Sequence, residues 1–244
     1  MLNHLPAAIS LAGLLSISAC GSGSDGGGTG ASVPPRQSFS GADQDVAADQ
    51  ALADAARLML SDFPVGWSEV PAKDDEATIK VQRRIAECLG SNEVGVIGTA
   101  ALARTGNFTN PDDESIVGET VGLAASVDDA VAVVAGFRGP DVPSCFAAVY
   151  TEFVSKEGDL PDGAELGEIT VARLNVTAAG DEVAALRVTV PITVSGIELS
   201  LVADQVLLRT GRSLAGLSFQ SQQQPTAIGV IDEYVAIAAG RLPG

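Results

Sequence analysis

The chain has 244 residues and a formal net charge of −17 at pH 7, and 46% of its residues are hydrophobic but only 4% aromatic. Such a negative surface argues against nucleic acid as a partner, because the phosphates would be repelled. His4 is the single histidine, so a chain that loses its N-terminus has no Ser-His-Asp, Cys-His or histidine-ligated zinc chemistry.

The N-terminal segment predicts a signal for export. An apolar run covers residues 5–17 and ends in Ile17-Ser18-Ala19-Cys20, which resembles the lipobox of bacterial lipoproteins. The run is too short to span a bilayer, so residues 1–19 are predicted to be a cleaved signal peptide and Cys20 the diacylated N-terminus. The absence of Lys and Arg before Cys20 departs from the usual pattern. A plain secretory signal is the alternative.

Residues 20–44 follow as the lipidated cysteine and a linker rich in Gly and Ser. A flexible tether of this length has a root-mean-square reach of about 26 Å. The remaining residues, 45–244, are enough for one domain with a single core. We therefore expect a domain held by a lipid anchor on the extracytoplasmic side of the cell membrane.

Two cysteines remain after Cys20, namely Cys88 and Cys145. In an oxidising compartment an even pair predicts a disulfide. The alternative is two separate buried thiols that act as small apolar residues.

The first half of the domain is predicted to contain two helices and two strands. Apolar residues Leu52, Ala55, Ala56, Met59 and Leu60 predict a helix over residues 45–60, which ends at the turn 62–67. A second helix is predicted over 74–89, with Val81, Ile85, Cys88 and Leu89 on its buried side. Strands are predicted over 97–108 and 116–125, joined by a turn at 110–113.

The second half is predicted to contain three helices and an antiparallel meander. Ser126 is expected to cap a helix that ends near Phe137, and a further helix covers 143–156. Residues 168–220 alternate as four strands, with two-residue turns at Ser195-Gly196 and Thr210-Gly211. A last helix covers 226–239. The predicted class is α+β, an antiparallel sheet packed with about five helices.

The register of the central hairpin predicts which side chains share a face. With Ser195-Gly196 as the turn, Arg187 lies opposite Asp204 on the side away from the core. The hydrophobic phase then changes to Val206 and Leu208, which predicts a β-bulge near residues 204–205. The polar side is expected to be solvated, as is common for antiparallel sheets.

These features resemble one known family. Residues 62–67 (DFPVGW), a helix that ends in Cys88, a helix that opens near Cys145, and the strand 206–212 (VLLRTGR) are similar to actinobacterial lipoproteins of the PknH-like extracellular sensor-domain type. The resemblance covers about residues 45–243. It implies an antiparallel sheet with helices, disulfides and a cleft for a ligand, and no catalytic residues. The chain has one predicted disulfide where the kinase domains have two, and no kinase domain.

The polar side of the sheet supplies the predicted ligand face. Two arginines among hydroxyls suit an anionic or sugar-like ligand, although a solvated surface is the simpler interpretation. Trp67 is either part of a pocket or a wedge that packs a loop onto the core. The acidic runs 74–76 and 112–114 lack calcium-loop spacing and are expected to be a helix start and a turn. The residues of the predicted ligand face are Arg173, Arg187, Thr189, Thr193, Glu198, Ser200 and Trp67.

The sequence therefore predicts a non-enzymatic envelope lipoprotein that binds a ligand or acts as a sensor. We expect no cofactor, no metal site and no catalytic residue, and the partners are the membrane through the lipid anchor and an unidentified small ligand or envelope protein. An accessory subunit that docks on an envelope protein is the main alternative. A hydrolase that depends on two carboxylates, as in glycosidases, is the third hypothesis.

Overall fold

The computed structural model describes residues 46–71, 76–89, 99–156, 160 and 163–244, with five α-helices and nine strands in them. The predicted signal peptide, Cys20 and the linker lie outside the described residues. The helices are α1 Val46–Ala56, α2 Glu76–Cys88, α3 Val127–Phe137, α4 Val142–Lys156 and α5 Ile228–Arg241. The strands are β1 Ser68–Val70, β2 Thr99–Arg104, β3 Asn107–Thr109, β4 Ile116–Ala124, β5 Glu165–Leu166, β6 Thr170–Leu174, β7 Glu182–Val194, β8 Ile197–Thr210 and β9 Ser213–Gln222.

The strands form one antiparallel sheet in the order β1-β3-β4-β9-β8-β7-β5, with β2 also paired to β4 and β6 also paired to β7. Helices cover both sides of this sheet. We call the side packed by α2, α3 and α4 the front face and the side packed by α1 and α5 the back face. The predicted α+β class, the C-terminal meander and the five helices are confirmed.

The front-face core forms because α3 and α4 present continuous apolar stripes to the sheet. Ser126 begins α3 as its N-cap, with its hydroxyl accepting the backbone N–H of Asp129. Phe146 and Tyr150 of α4 are fully buried against Leu186 and Val188 of β7. The sequence therefore predicted both helices, and it predicted the buried stripe of α4 apart from Phe153, which is partly buried.

The disulfide between Cys88 and Cys145 is present, with a Cα–Cα distance of 5.7 Å. It joins the last residue of α2 to the first turn of α4, as the sequence predicted. Val81 and Ile85 of α2 belong to the same core as Val149 of α4. The bond therefore holds α2 against the helix that covers the sheet.

The back-face core is built around aromatic residues. Phe63 stacks on Phe108 and on Tyr234, with ring centroids 4.3 and 4.7 Å apart. Trp67 packs beside Phe63 at 4.9 Å, so it wedges the turn after α1 onto the core. Ile231, Val235 and Ala238 of α5 are buried as predicted, whereas Ile228 lies on the exposed first turn.

The predicted apolar stripe of α1 was wrong except at Ala56, which is buried. Leu52, Met59 and Leu60 are exposed, and the helix ends before a short 3₁₀ turn at Leu60–Asp62. Asp49 and Ala53 are buried with Ala56, and Asp49 forms an ion pair with Arg212 in the turn before β9. That long-range pair selects the buried face of α1.

The predicted strand over 97–108 is divided into β2 and β3, both of which pair with β4. The second hairpin turn is Gly211-Arg212, one residue later than predicted, since Thr210 pairs with Ser213.

The predicted β-bulge near residues 204–205 is absent from the described hairpin, so this prediction was wrong. β7 and β8 pair without interruption from Glu182–Arg209 to Val194–Ile197. The hydrophobic phase changes because helices cover both faces of β8, so the strand is buried on both sides.

No helix in the described part of the chain is long and apolar enough to cross a membrane.

Candidate functional site

The predicted ion pair between Arg187 and Asp204 exists but is not solvated. Arg187 donates to both carboxylate oxygens at 2.6 and 2.8 Å and also to the backbone carbonyl of Thr226. Asp204 is 0% exposed, because α5 covers this part of the back face. Burial raises the pKa of Asp204, and the Arg187 guanidinium opposes that rise. The pair joins the sheet to the loop before α5.

The structure separates two of the other residues of the predicted ligand face from Arg187 and leaves the remaining four on the same face as Arg187. Arg173 pairs with Leu186, so it lies on the front face, where it donates to the carbonyls of Phe137 and Gly139 at the end of α3. Trp67 belongs to the opposite end of the sheet, beside β1. Back-face positions on the β7–β8 hairpin are occupied by Thr189, Thr193, Glu198 and Ser200, and Glu198 is exposed.

The remaining sequence candidates have structural explanations. Asn110 and Asp113 accept the backbone N–H groups of Asp112 and Ser115, so the acidic run 112–114 forms a turn. Within the described ranges, no three His, Cys, Asp or Glu side chains are close enough together to hold a metal. A groove between α2 and α4 has a volume of about 10 Å³. This is room for about one water molecule.

A different set of polar residues lies on the front face, in the centre of the sheet. Gln205 on β8, Ser218 on β9 and Gly118 on β4 lie side by side across the three strands. In the next cross-strand pair, Gly216 on β9 lies beside Thr120 on β4. Gln220 follows Ser218 on the same face of β9, opposite Ala203. We call these residues the polar patch: Gly118, Thr120, Gln205, Gly216, Ser218 and Gln220.

The polar patch is buried. Gln205 is 0% exposed, Thr120 3%, Ser218 6% and Gln220 7%. Leu186, which pairs with Gln205, and Tyr150 of α4 both belong to the front-face core. Gly118, near the start of β4, and Gln222, at the end of β9, are more accessible to solvent. The patch thus lies beneath the front-face helices, with its more open side towards the start of β4 and the end of β9.

Hydrogen bonds inside the polar patch are incomplete. The Gln205 amide nitrogen donates to the Ser218 hydroxyl at 3.1 Å. Within the described structure, the Gln205 Oε1, Gln220 Nε2 and Tyr150 hydroxyl oxygen are all buried and have no hydrogen-bond partner. Gln205 and Gln220 are diagonal neighbours across two strands, so their Cα atoms lie about 7–8 Å apart. The two glutamines that carry unused polar atoms are therefore close neighbours on the front face.

Such groups are rarely left unsatisfied. An unpaired buried polar group costs about 1–3 kcal/mol, and native proteins pair almost all of them with protein atoms, ordered water or a ligand. Burial raises the pKa of Tyr150, and a weak side-chain hydrogen bond to Gln205 opposes that rise. The two groups are thus close together, but they do not meet the geometry of a regular hydrogen bond. The phenol therefore stays protonated and can donate or accept a hydrogen bond at neutral pH.

Gly216 leaves space above the sheet, whereas at Gly118 the Asn107 side-chain oxygen lies 3.3 Å from the point that a Cβ would occupy. No described atom lies within 4 Å of the point that a Cβ would occupy at Gly216, although Gly216 is buried. Gly118 and Gly122 flank Thr120 on the same face of β4. With these neighbours, a ligand can approach the backbone of β9 directly.

The groups in the patch that have unused hydrogen-bonding capacity carry no charge. Arg104 is the cationic neighbour, since it pairs with Thr120 across β2 and β4. It interacts within the chain, although its buried Nη2 has unused hydrogen-bonding capacity. Arg209, further along the front face, is paired with Asp181 and Glu182. Gln205, Gln220 and Tyr150 can therefore offer donors and acceptors without an ionic partner.

Sequence patterns alone do not locate this site. Gly216, Ser218 and Gln220 alternate with Ala215, Leu217 and Phe219, which is the pattern of a strand with one solvated face. One available signal was the loss of strict alternation in β8, where the apolar runs 201–203 and 206–208 flank the polar pair Asp204-Gln205. Consecutive apolar residues are typical of a strand covered on both sides.

Comparison with known proteins gives structural neighbours only. No family model matches the chain, and no curated protein sequence matches it. Among solved structures it is similar to LpqN of Mycobacterium tuberculosis, described as involved in cell envelope biogenesis, with 10% identity over 73% of this chain and 76% of LpqN and a TM-score of 0.27. It is also similar to the extracellular domain of PknH from the same organism, with 11% identity over 72% of this chain and 81% of that domain and a TM-score of 0.35. The second structure belongs to the family that the sequence resemblance named. The polar patch is assigned from the residues of this chain and not from these neighbours.

Proposed function

We propose that the chain is a lipid-tethered module of the cell envelope that lies outside the cytoplasm and binds a small ligand on the polar patch. The observation that carries this proposal is the group of buried, unpartnered polar atoms of Gln205, Gln220 and Tyr150 on one face of the sheet. A ligand that completes their hydrogen bonds removes the cost of leaving them unpaired.

Two further features support an extracytoplasmic location. The lipobox-like segment before Cys20 and the Gly-rich linker after it are typical of a tethered lipoprotein. The disulfide between Cys88 and Cys145 fits an oxidising compartment. The acidic domain then stands off the membrane surface on a flexible tether.

Gly216 permits a direct test of the ligand site. Gly216→Val places a side chain in the open space above β9, where no described atom lies within 4 Å of its Cβ. The variant should fold, since valine suits a strand and meets no neighbour at its Cβ. Gly229→Val is the matched control, because Gly229 has equally open space on the first turn of α5, outside the patch.

The experiment is native mass spectrometry of the full-length lipidated protein extracted from the envelope of its natural host. The wild-type protein and Gly229→Val are expected to carry a non-covalent adduct that Gly216→Val lacks. An identical spectrum for all three proteins, with or without an adduct, would contradict the proposed site.

A further inference from the structure

We infer that the ligand of the polar patch is an uncharged molecule that bears hydroxyl groups and bridges the carboxamides of Gln205 and Gln220. This inference rests on the proposed function and deepens it. The atoms without partners are an amide oxygen on Gln205, an amide nitrogen on Gln220 and the hydroxyl of Tyr150. The ligand must therefore donate at one point and accept at another.

Hydroxyl groups meet this requirement better than ions do. A hydroxyl donates one hydrogen bond and accepts two, so it serves the Gln205 oxygen, the Gln220 nitrogen or the phenol equally well. A carboxylate only accepts, and an ammonium group only donates. Either ion would leave one of the carboxamides unsatisfied.

Burial also disfavours a charged ligand. Gln205 is completely buried, and Ser218 and Gln220 are more than nine-tenths buried, so an ion placed on them loses most of its hydration. The nearest cation across the strands, Arg104, interacts within the chain and lies beyond Thr120, although its buried Nη2 has unused hydrogen-bonding capacity. The neighbouring residues Gly118, Thr120 and Gly216 carry no charge. An unpaired buried charge would therefore have no counter-ion beside Gln205 and Gln220.

Ser218 adds a hydroxyl to this group. It pairs with Gln205 and precedes Gln220 by two residues on the same face of β9, so the three side chains are neighbours. Gly216, two residues before Ser218, leaves open space beside them. Several adjacent polar groups match a ligand with several hydroxyls, so the chemical class is a neutral polyol, of which a pyranoside is the simplest probe.

The test uses matched sugars of nearly equal size. Methyl α-D-glucopyranoside is neutral, glucuronate is anionic and glucosamine is cationic, and each is titrated into the full mature chain and followed by NMR chemical-shift changes. The neutral glucoside is expected to bind at least tenfold more tightly than either charged sugar. Gln205→Leu and Gln220→Leu should each weaken it at least tenfold, whereas Gln224→Leu, in the exposed loop after β9, should not.

Thermal unfolding separates a binding role from a structural one. If Gln220 serves a ligand, Gln220→Leu removes an unpaired buried group, and the melting temperature should stay the same or rise. A clear fall in melting temperature would mean that Gln220 supports the fold, and this would overturn its assigned role.

The outcomes distinguish the ligand class from the site. Tighter binding of a charged sugar that Gly216→Val abolishes would refute the neutral class and leave the proposed site intact. If no sugar binds but the envelope-extracted protein carries an adduct that depends on Gly216, the hydroxyl class is wrong and the proposed function stands. If the patch holds neither sugar nor adduct, it contains only ordered water, and both proposals fail.

Discussion

Glu119 is a buried acid whose ionisation should affect how this protein responds to pH. It is 4% exposed on the back face of β4, where its Oε2 accepts the backbone N–H of Leu58 at 2.5 Å. Its Oε1 is buried and has no hydrogen-bond partner among the described residues. Burial raises the pKa of Glu119 to about 7, and the hydrogen bond from Leu58 and the charges of Arg241 and Arg57 only partly offset this effect.

Glu119 should therefore make the protein less stable as the pH rises. Its pKa in the folded state, about 7, is above the value of 4.5 expected for the unfolded chain, so the folded state binds more protons between these values. The contribution is fully present below about pH 4.5 and is lost as the pH rises through about 7. The loss amounts to about 3 kcal/mol, at 1.36 kcal/mol per pH unit.

Glu119→Gln tests this effect, because glutamine keeps an acceptor for Leu58 and does not ionise. Urea unfolding at pH 5 and pH 8 should show that the variant gains stability relative to wild type as the pH rises. Glu198→Gln, on the exposed hairpin, is the control and should follow the wild-type curve. A wild-type dependence retained in Glu119→Gln would assign the effect to other groups.

Arg187 is predicted to matter far more for stability than an exposed ion pair would. Its removal leaves Asp204, which is 0% exposed, without its bidentate partner. Breaking a buried pair on one side costs about 3–5 kcal/mol, so Arg187→Ala should lower the free energy of unfolding by about 3 kcal/mol. Chemical denaturation measures this loss.

Lys156→Ala is the comparison for Arg187→Ala, because the pair between Lys156 and Glu152 is largely exposed on α4. Exposed pairs contribute about 0–1 kcal/mol, so this variant should be close to wild type. Equal effects of the two substitutions would show that Asp204 is accessible to water in solution.

At the scale of the elements, the disulfide holds α2 against α4. It closes a loop across a sequence separation of 57 residues. The chain-entropy treatment assigns such a loop about 4 kcal/mol, which corresponds to a fall in melting temperature of about 10 °C on reduction. The Cys88→Ala/Cys145→Ala variant should melt near the reduced wild type and be insensitive to reductant. Alkylation of both cysteines in unreduced, denatured protein would refute the bond.

Elements with strong local signals could be predicted from the sequence. The cap at Ser126 and the apolar stripe of α4 depend on residues a few positions apart, and both were predicted correctly. The face of α1 depends on Asp49 meeting Arg212, which is distant in the sequence and could not be predicted from periodicity. The β-bulge was wrong for the same reason, since only the three-dimensional arrangement shows that helices cover both sides of Val206 and Leu208.

The candidate site was missed by a related error. An antiparallel sheet with alternating polar residues usually exposes one face to water, so the polar side near Arg187 was taken as the candidate. In the structure helices cover both faces, and the unsatisfied groups lie at Gln205 and Gln220 on the other side. The front face differs from the back face at Arg187 because its buried carboxamides lack hydrogen-bond partners among the described residues, which only the three-dimensional structure reveals.

At the scale of the whole molecule, the proposed lipid anchor would set where the domain acts. A net charge of −17 repels an anionic membrane surface, so we expect membrane association to depend on the proposed lipid at Cys20. Cys20→Ala is expected to move the protein from the membrane fraction to the soluble fraction, whereas Ser22→Ala in the linker should not. An unchanged membrane fraction for Cys20→Ala would contradict the anchor.

The most direct measurement of the central claim is a high-resolution crystal structure of the protein extracted from its natural envelope. We predict electron density for a small uncharged molecule that bridges the Gln205 Oε1 and the Gln220 Nε2, with the Tyr150 hydroxyl at its edge. A patch filled only by ordered water, or one in which these side chains hydrogen-bond to each other and close the space above Gly216, would contradict the claim.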